Sequence, residues 1–408
     1  VTQFIATRAA GTKAMQAFAG HMGQQYEQGR NYDNGPERHT DVSMLSPYIR
    51  CRLITEQEAI TTALTAHGRD DASKFIEEVI WRGYYKGWLE RRPQIWDSYV
   101  AGRDADLISL KRDRRLRRDI ELAETGNTGL GYFDSWAHEL VETGYLHNHS
   151  RMWFASIWIF TLELPWRLGA DFFYRHLLDG DAAANTLNWR WAAGLHTRGK
   201  PYPARRQNID TFTNGRFTPA HGELAEVTTG LEASELDGLP TIQPMRELDT
   251  PEPDAPTAVL ITTEDCLVEN FDLTSLNVQA VASLSASHLR SPRPVSDAVC
   301  RFEASALQDA SARLDWRVDA LCARDPADLG DWAKSANVQQ IFTPYVACGP
   351  LRDWLDAALP GLAARGVTLV EQRRDWDSAI WPHATAGFFK VRKQIPQILE
   401  QTIGASLL

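Results

Sequence analysis

The sequence contains no C-x-x-C pair. Its five cysteines stand at 51, 266, 300, 322 and 348, too far apart for a zinc ribbon or an iron–sulfur cluster. An odd, scattered set reads as reduced, partly buried thiols. No apolar run approaches the roughly 18 residues that span a bilayer. The opening residues VTQFIATRAAG lack the basic stretch and apolar core of a secretory signal. The expectation is a cytoplasmic protein with no membrane partner. Neither G-x-G-x-x-G nor G-x-x-x-x-G-K-[ST] occurs, so no familiar nucleotide loop is present. Internal repeats are absent too. There is no excess of positive charge: 43 Lys and Arg face 53 Asp and Glu, a net charge of −10. Taken whole, that balance argues against a nucleic-acid partner, which needs clustered cations.

What the chain does have is length, core material and tryptophan. Its 408 residues suggest two or three domains, and 43% hydrophobic residues exclude intrinsic disorder. Nine of the 14 tryptophans fall between Trp81 and Trp191. A helical core rich in large aromatics accounts for most of them, and a site that stacks flat ligands or passes electrons is the alternative.

Periodicity changes along the chain. From residue 1 to 217 the pattern is helical: Ser73–Leu89 sets Phe75, Glu78 and Arg82 on one stripe, and Asp134–Leu146 and Arg151–Trp166 read as further helices. Asp181 is a candidate N-cap for a helix over Ala182–Ala193. Residues 218–255, rich in Pro, Gly and acidic side chains, read as a solvated linker. Beyond them, Ala258–Thr263, Val278–Leu284, Trp316–Cys322, Val338–Phe342 and Val367–Glu371 are predicted strands. Asp297–Leu314 and Leu351–Arg365 are predicted helices between them. The fold class is therefore a helical domain (1–217) followed by an α/β domain with a parallel sheet (256–408). Charge separates in the same way. Residues 1–217 hold 28 basic and 26 acidic side chains, residues 218–272 hold 1 and 13, and the remainder holds 14 of each. The average thus conceals a slightly basic helical half, in which Lys111–Arg118 (KRDRRLRR) is six-eighths basic.

Four constellations stand out. Ser43-Met44-Leu45-Ser46-Pro47, preceded by Tyr26 and Arg30, offers hydroxyls and backbone donors to phosphate oxygens, although a plain helix cap reads the same. Glu78-Val79-Ile80-Trp81-Arg82 resembles a surface ion pair over a packed ring. In His147-Asn148-His149-Ser150-Arg151-Met152 the two histidines, at i and i+2, cannot chelate one metal from a helix. Asp181, Asn185 and Trp189, at i, i+4 and i+8, form a stripe whose polar members need partners, which favours a ligand.

In this order, SMLSPYIR, FIEEVIWRGYY, NTGLGYFD, ETGYLHNHSRM, LPWRLGADFF and LLDGDAAANTLNWRWAAG resemble the flavin-binding domain of the DNA photolyase and cryptochrome family over most of residues 1–217. The resemblance implies FAD, active in its reduced form. It assigns Tyr26, Ser43, Met44, Leu45 and Ser46 to the phosphates and ribityl chain, with Val42 where the family often has Thr. Phe75, Glu78 and Arg82 would line the cavity, with Asn148, Arg151, Asp179, Asp181 and Asn185 around the flavin. It also implies a lesion pocket of Glu78, Trp81, Asn148, Met152 and Trp191, with His149 where Arg is usual. Glu78 and Asn148 would act on the lesion, and Trp189 and Trp166 would relay electrons. The relay's surface member is missing between Asp104 and Glu124, so either Trp153 or Trp158 would substitute or photoreduction would be slow. The function implied is light-driven splitting of cyclobutane pyrimidine dimers in UV-damaged DNA by a monomer. A cryptochrome-like photoreceptor and repair of (6-4) photoproducts, for which His149 is available, are the alternatives. The family's α/β antenna domain ordinarily precedes the flavin domain. Here the α/β pattern follows it, as a divergent or rearranged antenna-like domain with no pigment assigned.

Overall fold

The computed structural model describes residues 4–235 and 238–404. Among them no strand precedes Pro256, and five strands follow: β1 (Pro256–Thr262), β2 (Asn277–Ser285), β3 (Val318–Cys322), β4 (Gln340–Pro344) and β5 (Thr368–Gln372). All neighbouring strands run parallel, in the order β3-β2-β1-β4-β5. The central strand β1 is buried along nearly its whole length, as the unbroken apolar run AVLI requires. Helices over Asp297–Ala312, Ala327–Ser335 and Pro350–Ala363 supply the crossovers. Ala258, Leu260, Leu284, Ile341, Leu355 and Leu362 form the centre of this core. Each large aliphatic side chain there contributes about 1.5–3 kcal/mol. The fold class is thus helical followed by parallel α/β.

The chain forms two compact units that interleave along the sequence. One comprises residues 24–44 and 92–242, the other residues 4–23, 45–91 and 243–408. They do not meet at a single point near residue 217, because the helices Glu56–Asp71 and Ser73–Glu90 pack with the sheet-bearing unit. The physical reason lies in Gly83 and Gly87, one turn apart. A Cβ on Gly87 would lie 2.7 Å from the Trp381 Cα, and one on Gly83 would lie 3.0 Å from Ile380 Cδ1. The missing side chains let the Ser73–Glu90 helix press directly on Asp375–His383.

In the same unit, the order of strands reverses between β1 and β4, where open α/β sheets ordinarily take a ligand. Here the carboxyl ends of those strands meet side chains of residues 45–91. Arg50 donates to the Thr263 carbonyl (3.1 Å) and Arg52 to Asp265 (3.3 Å). Glu90 accepts from the Tyr345 hydroxyl (2.6 Å) and the Cys348 amide.

The other unit is helical and aromatic. Phe133 stacks on Phe154 (4.1 Å), Phe154 packs on Phe173 (5.0 Å), and Phe173 meets the edge of Trp189 (5.1 Å). The predicted helix over Arg151–Trp166 is interrupted. Asn148–Ser156 runs into a π turn at Ile157–Thr161, and Trp166 opens a new helix behind Pro165. Proline lacks the N–H that would continue the ladder, so the break falls where the sequence permits it.

Among the described residues, 218–255 contain no strand and only one short helical turn, Leu231–Ser234. They are nevertheless pinned. Buried Arg190 holds Glu235 through two hydrogen bonds (2.6 and 2.7 Å), and Leu231 donates to the Ala193 carbonyl. At the other end Gln340 donates to the Glu252 carbonyl and Arg246 pairs with Glu371. The segment differs from a solvated linker because Glu235, part of its acidity, neutralises Arg190, which folding has removed from water.

Candidate functional site

The sequence-predicted site residues fall in both units, and the division passes between Met44 and Leu45. In the helical unit the Asn148–Ser156 helix carries three of them. It is moored by Asp33, fully buried, which accepts from the Ser150 hydroxyl (2.6 Å), the Trp136 indole (3.1 Å) and Arg216 (2.7 Å). Burial alone would raise that carboxyl's pKa. Arg216 and Ser150 outweigh it and hold Asp33 below the usual carboxylate range. Burial also pushes the His147 imidazole down to about 3, so it caps the helix as a neutral ring. With the helix fixed, Asn148 is exposed at its first turn, and Arg151 and Met152 are half-buried one turn further on.

Arg151 is held by a two-pronged ion pair to Asp179 (3.1 and 2.9 Å), by a bond to the Leu146 carbonyl (2.8 Å), and over the Tyr145 ring. Two residues later Asp181 caps the Ala182–Ala192 helix through the Ala184 amide (2.8 Å), as its spacing predicts. Asn185, on the next turn, donates its amide to the Ala170 carbonyl (2.8 Å), which fixes its orientation. Trp189 continues the stripe. Its ring enters the space that a side chain on Gly169 would fill, and its buried Nε1 has no hydrogen-bond partner. Trp191, half-buried, stacks on Tyr202 (5.0 Å). Tyr26, Ser43 and Met44 belong to this unit as well, and Met44 adopts a left-handed backbone (φ 51°).

In the sheet-bearing unit, Leu45 and Phe75 are buried, whereas Ser46, Glu78, Trp81 and Arg82 are half-buried. Arg82 reaches the Ser46 carbonyl with one terminal nitrogen (3.4 Å), and its other, buried, has no partner. A buried cationic donor left unpaired suits an anionic or carbonyl-rich group, and FAD offers both. Glu78 pairs with Lys74 one turn earlier (3.0 Å). Trp81 lies flat against Phe388, with centroids 3.8 Å apart and planes 12° apart.

Two expectations change. His149 is not free to meet a lesion: its ring is sandwiched between Trp153 and Phe212 (both 5.1 Å) and bonded to the Asn31 carbonyl (2.9 Å). Trp153 and Trp158 are both fully buried, so neither supplies a surface terminus for an electron relay. Trp158 instead touches Trp189 edge-on (6.2 Å) and donates its indole N–H to the carbonyl of Pro165, beside Trp166. Sequence reasoning missed Phe388 altogether. The signal available was the Gly83-x-x-x-Gly87 spacing, which marks a helix built for close approach.

The five cysteines are free thiols. Among the described residues no helix is long and apolar enough to cross a membrane, and no cluster of His, Cys, Asp or Glu could hold a metal ion.

The family model described as the FAD-binding domain of DNA photolyase matches residues 75–218. A deoxyribodipyrimidine photo-lyase of Streptomyces griseus is 28% identical over 236 residues, 55% of this chain and 48% of that protein. One from Buchnera aphidicola is 30% identical over 176 residues, 42% of this chain and 36% of that protein. The chain therefore spans between about a third and a half of these curated relatives. A solved bacterial class III photolyase from Agrobacterium tumefaciens is 24% identical, with a TM-score of 0.43 over 51% of this chain and 43% of that one. Residues 75–218 thus resemble the FAD-binding domain of the DNA photolyase and cryptochrome family.

Proposed function

We propose that the protein is a light-driven repair enzyme that splits cyclobutane pyrimidine dimers in UV-damaged DNA. Its α/β portion is then a divergent form of the family's antenna-like domain. The observation that carries the reading is selective exposure. Glu78, Trp81, Asn148, Met152 and Trp191 all keep accessible surface, while Tyr84, Trp88, Trp153 and Trp189 on the same helices are buried. Within each unit burial would be the cheaper fate for such side chains, so the accessible surface of Trp81 in one and of Met152 and Trp191 in the other is best explained by a ligand.

Bound reduced FAD supplies the photoexcited electron in this family of reactions. The chain's own residues bind and orient. Arg82 contributes its unpaired donor to the cofactor, and Arg151, locked by Asp179, gives a fixed cation. Asp181 and Asn185 extend the polar stripe along the Ala182–Ala192 helix. Trp81 and Trp191 offer flat surfaces to unstacked bases, and Met152 a polarizable one. Glu78 accepts a hydrogen bond from a pyrimidine ring N–H, and Asn148 donates its amide to a pyrimidine carbonyl. Exposed Arg114, Arg115, Arg117 and Arg118 give the helical unit a cationic surface for phosphates.

The test is repair itself. Under blue light, the FAD-loaded, reduced protein restores absorbance at 260 nm to a dimer-containing oligonucleotide, and in the dark it does not. Glu78→Ala lowers kcat/KM about tenfold or more, the equivalent of one hydrogen bond to a charged group. Absence of any light-dependent restoration by the wild type overturns the proposal.

A further inference from the structure

The Asp375–Ile380 helix and the chain beyond it lie along one face of the Ser73–Glu90 helix, within a single compact unit. Positions 77, 81 and 84 share that face, at i, i+4 and i+7, and each takes one partner. Arg392 pairs with Glu77, Phe388 stacks on Trp81, and the Tyr84 hydroxyl donates to the Ala386 carbonyl (3.0 Å). The Tyr84 ring closes the group edge-on against both Trp81 (5.4 Å) and Phe388 (5.6 Å). Ile380 and Trp381 enter over Gly83 and Gly87.

We propose that Phe388 is a positioning residue of the substrate site: it seals one face of Trp81, fixes the plane of the indole, and leaves the other face as the stacking surface for an unstacked pyrimidine. The inference rests on the repair reading above, which makes Trp81 a wall of the lesion pocket. The alternative, a lid that must leave before substrate binds, conflicts with how the strap is built. Phe388 is 6% exposed and is flanked by a hydrogen bond on one side and an ion pair on the other. The residues just before it, Ile380 and Trp381, pass over Gly83 and Gly87, and a Cβ on Gly87 would lie 2.7 Å from the Trp381 backbone. A segment so anchored is scaffold. Of the other rings that meet Trp81, Tyr84 stands edge-on and Tyr85 is tilted by 35°, so among the described residues Phe388 alone lies parallel to the indole. A ring fixed at contact distance on one side admits one flat base on the other.

The experiment uses the full chain loaded with FAD, in the dark, and an oligonucleotide with a single thymine dimer beside its undamaged twin. Phe388→Ala and Phe388→Leu are expected to reduce the preference for damaged over undamaged DNA about five- to tenfold. Phe388→Tyr, which keeps the stacked ring, retains it. The loss appears in KM under light, with kcat at saturating substrate and flavin content unchanged. A second readout is independent of DNA: hydroxyl-radical oxidation of Trp81, followed by mass spectrometry, rises severalfold in Phe388→Ala and not in Phe388→Tyr. Unchanged preference in Phe388→Ala overturns the inference alone, and tighter binding does so by making Phe388 a plug. A wild type that shows no preference for dimer-containing DNA removes the repair reading and this inference with it.

Discussion

A chain ended after residue 217 is expected to yield no soluble, FAD-binding fragment, although the helical pattern of the sequence ends near there. Residues 45–91 would lose the partners that bury them. Arg52 loses Asp265 and Asp377, Arg50 loses Glu264, Tyr84 loses Ala386, and the Gly83–Gly87 face loses Ile380 and Trp381. The result is an uncovered helix with Arg50 stripped of its counter-ion and Arg52 left with Glu56 alone. Breaking one buried ion pair costs about 3–5 kcal/mol, and a whole domain is stable by about 5–15 kcal/mol. Leu45, Ser46, Phe75, Glu78, Trp81 and Arg82 all stand on this stretch, so flavin binding is lost with it. Expression trials of residues 1–217 and of the full chain, compared by soluble yield, circular dichroism and absorbance at 450 nm, check the point. A 1–217 fragment that is soluble, melts cooperatively and retains flavin would refute it.

Replacing Arg52 alone has the second largest expected effect. Its guanidinium grips both oxygens of Asp377 (2.7 Å each), reaches Asp265 (3.3 Å) and faces Glu56 (3.4 Å). All four residues are buried, and Arg374 takes the remaining valences of Asp265 (2.6 and 2.8 Å). Arg52→Ala therefore strands two carboxylates, those of Asp377 and Glu56, and costs about 3–5 kcal/mol at pH 8 in urea unfolding. Arg52→Lys restores little of it, because an ammonium cannot fork across one carboxylate and still reach a second.

The pH dependence carries a definite sign. Burial already raises the pKa of Asp377 against the pull of Arg52, whereas Asp265 is held below the usual range: burial would raise it, but Arg374 and Arg52 prevail. Without Arg52, the Asp377 carboxyl rises further and the folded state binds a proton that the unfolded state releases. The variant's stability then falls as pH rises above the ordinary carboxylate value of 3.8 and through the raised folded one. The deficit against wild type is thus smaller at pH 5 than at pH 8. A deficit under 1 kcal/mol at pH 8, or one that does not change with pH, contradicts this account.

Local structure was largely legible. The run AVLITT reads as a buried parallel strand because successive β-branched and apolar residues leave no solvent face, and it is β1. Asp181 reads as a cap because a carboxylate precedes an alanine-rich turn, and it caps. The candidate residues on the Asn148–Ser156 and Ala182–Ala192 helices were visible for the same reason: spacing of 3 or 4 puts them on one side.

What escaped was partnership. Periodicity tells that a helix has an apolar stripe and is silent about what covers it. Ser73–Glu90 therefore read as part of the helical half, while its glycines and Arg52 face the sheet-bearing unit. His149 looked available because nothing local shows that Trp153 and Phe212 close on it from 4 and 63 positions away. The 218–255 segment looked solvated for the same reason, since the counter-ions of its Glu235 and Arg246, which are Arg190 and Glu371, lie elsewhere in the sequence.

The strap over Trp81 also sets a timetable for synthesis. Tyr84 and Ala386 are separated by 302 positions and Arg52 and Asp377 by 325. At about 5–20 residues per second, the Ser73–Glu90 helix leaves the ribosome roughly 15–60 s before the residues that cover it. Throughout that interval its glycine face and Trp81 lack the cover that Ile380, Trp381 and Phe388 give them, so this helix is the stretch expected to need protection in a nascent chain. The flavin-binding residues on it come into register only when the last fifth of the polypeptide has been made.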